Sequence, residues 1–186
     1  TVSGDAAGDN SCAYVGGIVG NANGTVTGCY NTAAVSGDAT GESSVACVGG
    51  IAAECYAVSG CYNIGSIDSG TYSGGIIAAA MGTYANCYYL DGCVKSGNIG
   101  SSSADGITAK TADQFASGEV AYLLNGDQST ITFKQTIGTD PAPNFTGGTV
   151  YRVGVTCTEG AEAYANTQDT LAHNYVNNTC TACGEV

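Results

Sequence analysis

The sequence predicts an all-β chain: a short parallel β-solenoid (β-helix) of about three rungs, then a small α+β C-terminal cap and a Cys/His-containing tail. Three observations predict it. Segments recur at a nearly constant offset, glycine is abundant at 29 of 186 residues, and bulky residues are scarce, with three Phe, one Met and no Trp. The hydrophobic fraction is 44%, but Ala and Val supply much of it. Such a chain buries little area per residue. That disfavours a globule packed around large side chains and favours stacked, hydrogen-bonded backbone.

The repeat is legible residue by residue. Val2-Ser3-Gly4-Asp5-Ala6 returns as Val35-Ser36-Gly37-Asp38-Ala39, and Val15-Gly16-Gly17-Ile18 as Val48-Gly49-Gly50-Ile51, both displaced by 33. Gly28-Cys29-Tyr30-Asn31 returns as Gly60-Cys61-Tyr62-Asn63, displaced by 32. A third copy runs through Ser69-Gly70, Ser73-Gly74-Gly75-Ile76 and Asn86-Cys87-Tyr88. Aligned on Gly37 and Gly70, it is eight residues shorter ahead of the glycine pair. Residues 38–45 therefore read as an optional loop, and the rung itself as about 25 residues. The Gly-Gly pairs suit a tight corner, because Gly accepts positive φ without strain. Strands are expected at Ile18-Val19, over residues 25–31, and at Ala34-Val35 with residues 64–67. Side chains alternate faces along a strand, so an inward Cys29 turns Tyr30 outward and Asn31 inward. Equivalent residues then stack from rung to rung at about 4.8 Å.

The pattern Val15-Gly16-Gly17-Ile18-Val19-Gly20, followed by Gly24, Val26 and Cys29-Tyr30-Asn31, resembles the GLUG motif. That motif recurs in large surface proteins of bacteria, including secreted IgA-peptidase-like proteins. The resemblance covers roughly residues 2–93. Glu54-Cys55-Tyr56 takes the place of the Asn-Gly loop in the second copy, and residues 78–81 take it in the third. The resemblance implies an extracellular stalk or adhesive repeat and brings no catalytic residues with it.

Composition shifts after Cys93, which divides the chain into repeats over 1–96, a linker and capping region over 97–155, and a tail over 156–186. Residues 96–103 are Gly/Ser-rich and read as a linker. Thr111 with Gln114 three residues on marks a helix start. Phe115, Ala116, Val120, Leu123 and Leu124 form an apolar stripe at helical spacing, and Asn125-Gly126 ends it. Residues 131–137 and 150–155 read as strands, with Pro141 and Pro143 at a turn between them. An open last rung needs a cover, so residues 105–155 are expected to cap it, with Phe115 and Leu123 laid over its end.

The ten cysteines fall into two sets. Cys29, Cys61 and Cys87 share one position in successive rungs and read as a stacked structural ladder. Parallel stacking fits disulfide torsions poorly, so buried thiols are the favoured state there. Cys12, Cys47, Cys55 and Cys93 lie out of register and are the better disulfide candidates, with Cys87–Cys93 as one pairing. In the tail, Cys157, His173, Cys180 and Cys183 supply four ligand types suited to zinc, two of them in a Cys-x-x-Cys knuckle. The His173-Asn174-Tyr175 and Cys180-Thr181-Ala182-Cys183-Gly184 runs resemble short units of bacterial surface proteins. A Cys157–Cys180 or Cys157–Cys183 disulfide is the competing reading. The chain otherwise requires no cofactor.

Charge narrows the partners. The formal net charge is −12, and the only cations besides His173 are Lys95, Lys110, Lys134 and Arg152. Nucleic acid is excluded, because phosphate neutralisation needs clustered Lys and Arg. No apolar run is long enough for membrane insertion. Thr1 and the lack of a leader suggest a mature or excised piece. Paired acids, Asp5 with Asp9 and Asp38 with Glu42, occupy matching Gly/Ser loops and read as solvated, with a weak calcium site as the sharper alternative. Tyr30, Tyr62 and Tyr88 form a row that is either a ligand-contact face for sugars or packed beneath loops.

Together these features predict a non-enzymatic structural or adhesive module, extracellular or at a bacterial cell surface, whose partner is a host or extracellular glycan or protein. A second reading is the subunit of a self-assembling extracellular fibre, associating through the solenoid ends. A third is a carbohydrate-active β-helix enzyme. The repeats lack the clustered acid and Arg or Lys residues which that chemistry uses.

Overall fold

The computed structural model describes residues 1–95, 98–99, 104–155, 162–167, 175–176 and 179–180. It is mostly β, with parallel sheets in its first part. The chain divides into two compact units, Thr1–Thr111 and Ala112–Val186.

In the first unit each repeat contributes its strands in the same order. The first repeat gives β1 (Val2–Ala6), β2 (Cys12–Gly16), β3 (Val19–Thr27) and β4 (Tyr30–Asn31). The second gives β5 (Val35–Ala39), β6 (Val45–Gly49), β7 (Ala52–Ser59) and β8 (Tyr62–Asn63). The third gives β9 (Tyr72–Gly74), β10 (Ile77–Ala85) and β11 (Cys87–Leu90). Like pairs with like, always parallel. β1 lies on β5 with Val2 opposite Val35, β2 on β6 with Val15 opposite Val48, and β4 on β8 with Tyr30 opposite Tyr62. β9, β10 and β11 continue the same ladders. The recurrences in sequence are thus recurrences in space.

A further partial repeat follows. β12 (Asn98–Ile99) pairs with β9, and β13 (Ile107–Lys110) pairs with β11, placing Ile107 opposite Cys87. The parallel ladders therefore run past residue 96, where the sequence reading ended the repeats. The register also corrects the length of the short repeat. Val35 bridges Ile67, and the Gly37 amide donates to Ser69 Oγ at 3.2 Å. Ser69, not Gly70, is the counterpart of Gly37, and the third repeat is seven residues shorter: 35 to 48 spans 13 positions, and 67 to 73 spans six.

The glycine pairs have a different cause from the one expected. None of Gly16, Gly17, Gly49, Gly50, Gly74 or Gly75 has positive φ. They are needed for space. A Cβ on Gly17 would lie 2.6 Å from Asn31 Cγ, and one on Gly75 would lie 2.5 Å from the Tyr89 ring. A Cβ on Gly16, Gly49 or Gly74 would overlap the backbone carbonyl of Val19, Ala52 or Ile77. The chain folds so tightly after each glycine pair that no side chain fits. Positive φ belongs instead to the residue ahead of each ladder position: Gly28 (62°), Gly60 (57°), Asn86 (51°) and Gly106 (84°).

Two apolar clusters make up most of the interior described for the first unit, beside a smaller one of Cys47, Ala53 and Ala78. Ile51, Ala52, Cys55, Val58, Cys61, Ile76, Ile77, Cys87 and Ile107 form one, between the sheets of β3-β7-β10 and β4-β8-β11-β13. Ala6, Ala13, Val15, Val35, Ala46, Val48 and Ile67 form the other. Residues this small suit an interior whose width is set by backbone.

The second unit begins with α1 (Ala112–Ala116) and α2 (Glu119–Leu124), two short helices where the sequence suggests one. Gly118, at φ 94°, makes the break. Of the apolar stripe, Phe115, Val120 and Leu124 are buried, Leu123 is half-buried and Ala116 is exposed, while Ala121 is buried in addition. Residues 131–137 do not form the expected strand; only the bridge between Lys134 and Asn144 is present there. Lys134 and Gln135 donate their amides to the Asn144 and Gly148 carbonyls, and four neighbouring amides are taken by side chains. Asn125 Oδ1 accepts from Thr132 and Phe133 at 3.0 and 2.9 Å, Asp140 accepts from Thr136, and Asn166 Oδ1 accepts from Ile137. β14 (Tyr151–Val155) falls where a strand was expected and pairs antiparallel with β15 (Glu162–Ala165). β16 (Tyr175–Val176) and β17 (Thr179–Cys180) form a further antiparallel pair.

Candidate functional site

The ladder cysteines occupy one repeating environment. Each thiol donates to the carbonyl two residues back: Cys29 to Thr27 at 3.2 Å, Cys61 to Ser59 at 3.3 Å and Cys87 to Ala85 at 3.3 Å. The Cys29 amide in turn donates to Cys61 Sγ at 3.4 Å. All three are free thiols, and Ile107 closes the row. An isoleucine in the same column shows that the position accepts an apolar side chain in place of the thiol. Burial pushes the Cys61 thiol up to about 12 and raises Cys87 as well. Cys87 and Cys93 are not bonded to each other; Cys93 instead accepts from Asn63 Nδ2 at 3.7 Å, and burial lifts its thiol to about 11.

Two members of the tyrosine row are packed away, and Tyr30 at its end is half-buried. Tyr30 and Tyr62 stack with ring centroids 5.1 Å apart and planes within 3°. Tyr62 is fully buried, Tyr88 is 8% exposed, and Lys110 Nζ sits 5.9 Å over the Tyr88 ring. A sugar has no access to the Tyr62 ring at 0% exposure. Beside this row runs a buried amide column. Asn31 Nδ2 donates to Asn63 Oδ1 at 2.8 Å, and each Asn closes a turn with the residue two positions on, Ala33 or Gly65. Buried amides survive only when so paired.

On the other face of β2 and β6 stand Cys12, Tyr14 and Cys47. The Glu54 carboxylate, with Cys12, raises the Tyr14 hydroxyl above its ordinary range, and burial raises Cys47. Glu54 also accepts from Asn21 at 3.0 Å. The acidic loops meet across repeats: Asp5 lies opposite Asp38, and the Glu42 amide donates to Asp9 at 2.9 Å. Among the described residues, no group of three or more His, Cys, Asp or Glu is placed to hold a metal ion. Among them, too, no helix is long and apolar enough to cross a membrane. Of the zinc candidates, Cys157, His173 and Cys183 lie outside the described residues. Cys180 is described only through its backbone, on β17 opposite Tyr175.

The sequence reading missed a cavity of the second unit. A cavity of about 460 Å³ is lined by Tyr122, Gln128, Ile131, Val150 and Arg152 among others. Arg152 pairs with Glu162, and the Tyr164 hydroxyl donates to the same carboxylate at 2.7 Å. The available signal was Arg152 as the one arginine of the chain, on a strand followed by the alternating Glu162-Ala163-Tyr164. No protein-family model, curated protein or solved structure matches this chain.

Proposed function

We propose that this chain is a non-catalytic structural or adhesive module of a secreted or surface-displayed bacterial repeat protein, with its first unit wound as a short β-solenoid. The observation that carries the reading is the in-register parallel pairing of homologous segments, with the Cys29, Cys61 and Cys87 row ending on Ile107. A stack of this kind supplies stiffness through nearest-neighbour contacts alone. The GLUG-like pattern favours display outside the cell, and the surplus of acids favours solubility there. The test is a pair of measurements on the parent organism and the purified chain. Fractionation should find the protein at the cell surface or in the medium. Spin labels at Ser3→Cys and Ser36→Cys should read the short separation of stacked neighbours, about 5 Å between backbones. A cytoplasmic protein, or labels far apart, overturns the proposal.

A second reading, a self-assembling extracellular fibre, is favoured by one observation. β1, β2, β3 and β4 are all edge strands of their sheets, in the register another repeat would take up. Light scattering and electron microscopy at rising concentration test it, and a strictly monomeric chain ends it.

A further inference from the structure

We infer that the cavity of the second unit binds a neutral saccharide unit. Val150 immediately precedes β14, Arg152 lies on it, and both line the cavity. Val150 packs with Ala121 and Tyr164, and Tyr122 lies against that cluster. Arg152 stands opposite Tyr164 in the ladder, and the Tyr164 ring is 5.5 Å from Tyr122, tilted by 49°. The lining therefore includes Tyr122 and Arg152, and Arg152 brings with it its ion-pair partner Glu162, which also accepts from the Tyr164 hydroxyl. The Arg152 and Glu162 side chains are 45% and 42% exposed, so both are open to a ligand. The rim is also held in shape. Gln128 adopts φ 61°, and its Nε2 donates to the Tyr122 and Gly126 carbonyls at 2.8 and 2.9 Å. Left-handed backbone at a residue other than glycine persists only where surrounding contacts enforce it.

The chemistry of the wall selects the ligand class. A tyrosine ring offers an apolar face to the C–H side of a pyranose. A guanidinium carries five donors and a carboxylate two acceptor oxygens, so a mutual ion pair leaves hydrogen-bonding capacity for vicinal hydroxyls. Because Arg152 and Glu162 neutralise each other, the site has no net charge to attract an anion, and the chain's −12 repels one. A volume of about 460 Å³ is suited to one or two sugar rings. The proposal is separate from the structural reading of the first unit, and either can stand without the other.

Saturation-transfer NMR on the full chain tests it, using methyl mannoside, methyl galactoside, N-acetylglucosamine and cellobiose as neutral probes and galacturonate as the acidic one. At least one neutral probe should show transfer. Its binding should weaken about tenfold in Tyr122→Ala and in Arg152→Lys, which keeps the charge but loses the planar fork. Tyr122→Phe, which keeps the ring, should bind nearly as the parent does, and Tyr14→Ala in the first unit should bind unchanged. Transfer from galacturonate alone, no transfer from any neutral probe, or binding indifferent to both Tyr122→Ala and Arg152→Lys overturns the assignment.

Discussion

Gly50 and Gly24 look alike in sequence and differ entirely in place. A methyl on Gly50 would collide with the Gly75 carbonyl and lie about 2.5 Å from Asn63 Nδ2, whereas Gly24 has nothing within 4 Å of the same position. Gly50→Ala should therefore cost about 3 kcal/mol, the upper end of overpacking penalties. Gly24→Ala should stay within about 0.5 kcal/mol. Urea titration of the two variants checks this, and equal midpoints would mean that the tight fold at the glycine pair is not real. The ladder thiols give a second residue-scale expectation. An ordinary cysteine titrates at 9.0, and burial takes Cys61 to about 12. The folded chain keeps this proton after the unfolded chain has lost it. The stabilisation is complete below pH 9 and is lost as pH rises through 9 towards 12. Cys93, raised to about 11, adds to the same loss. Urea midpoints should fall steadily across that alkaline window, less steeply in Cys61→Ala. A flat profile from pH 8 upward would show that the thiols are not buried.

Elements of the first unit were readable because each is a near copy of another, so alignment alone fixed the register of β1 on β5 and β4 on β8. The copy that diverged was overlooked: Gly106-Ile107-Thr108 lacks the Cys-Tyr signature, although Gly106 repeats the left-handed position of Gly28 and Gly60. In the second unit the helical stripe was legible but its interruption was not, since Gly118 inside a helical pattern is usually tolerated. Residues 131–137 misled because their apolar alternation resembles a strand while the amides of Thr132, Phe133, Thr136 and Ile137 are claimed by Asn125, Asp140 and Asn166. Side-chain capture of this kind leaves no periodic trace. Asn125 is the most consequential of these residues, since its Nδ2 also donates to the Phe133 carbonyl at 2.7 Å. Asn125→Ala strands two amides and a carbonyl and should cost about 3 kcal/mol. Loss of exchange protection at Phe133 should accompany it, and a variant as stable as the parent would dismiss this amide as the organiser of the segment.

At the scale of the molecule, the three described repeats differ in length, and yet the ladders begun by β2, β3 and β4 all continue through the third. The third has no counterpart to the segment that follows Gly37, and still Ile67 bridges Val35 and Tyr72 pairs with Cys47. The connection from β5 to β6 is thus not needed for the ladders that the third repeat continues, and at its entry Asp5 and Asp38 pair as like charges on β1 and β5. Stability in such a stack is carried by neighbouring levels, so shortening one loop should leave the rest standing. Replacing residues 38–45 with a single glycine reproduces the Ser69-Gly70-Thr71 connection in the second repeat. The expected product unfolds in one cooperative transition, with amide protection retained at Val48, Ile51 and Val58. It also loses the Asp5–Asp38 repulsion, so its midpoint should depend less on salt than that of the parent. Protection collapsing at Val48 and Val58 together would mean that the loop, and not the stacking of homologous strands, holds the ladders in register.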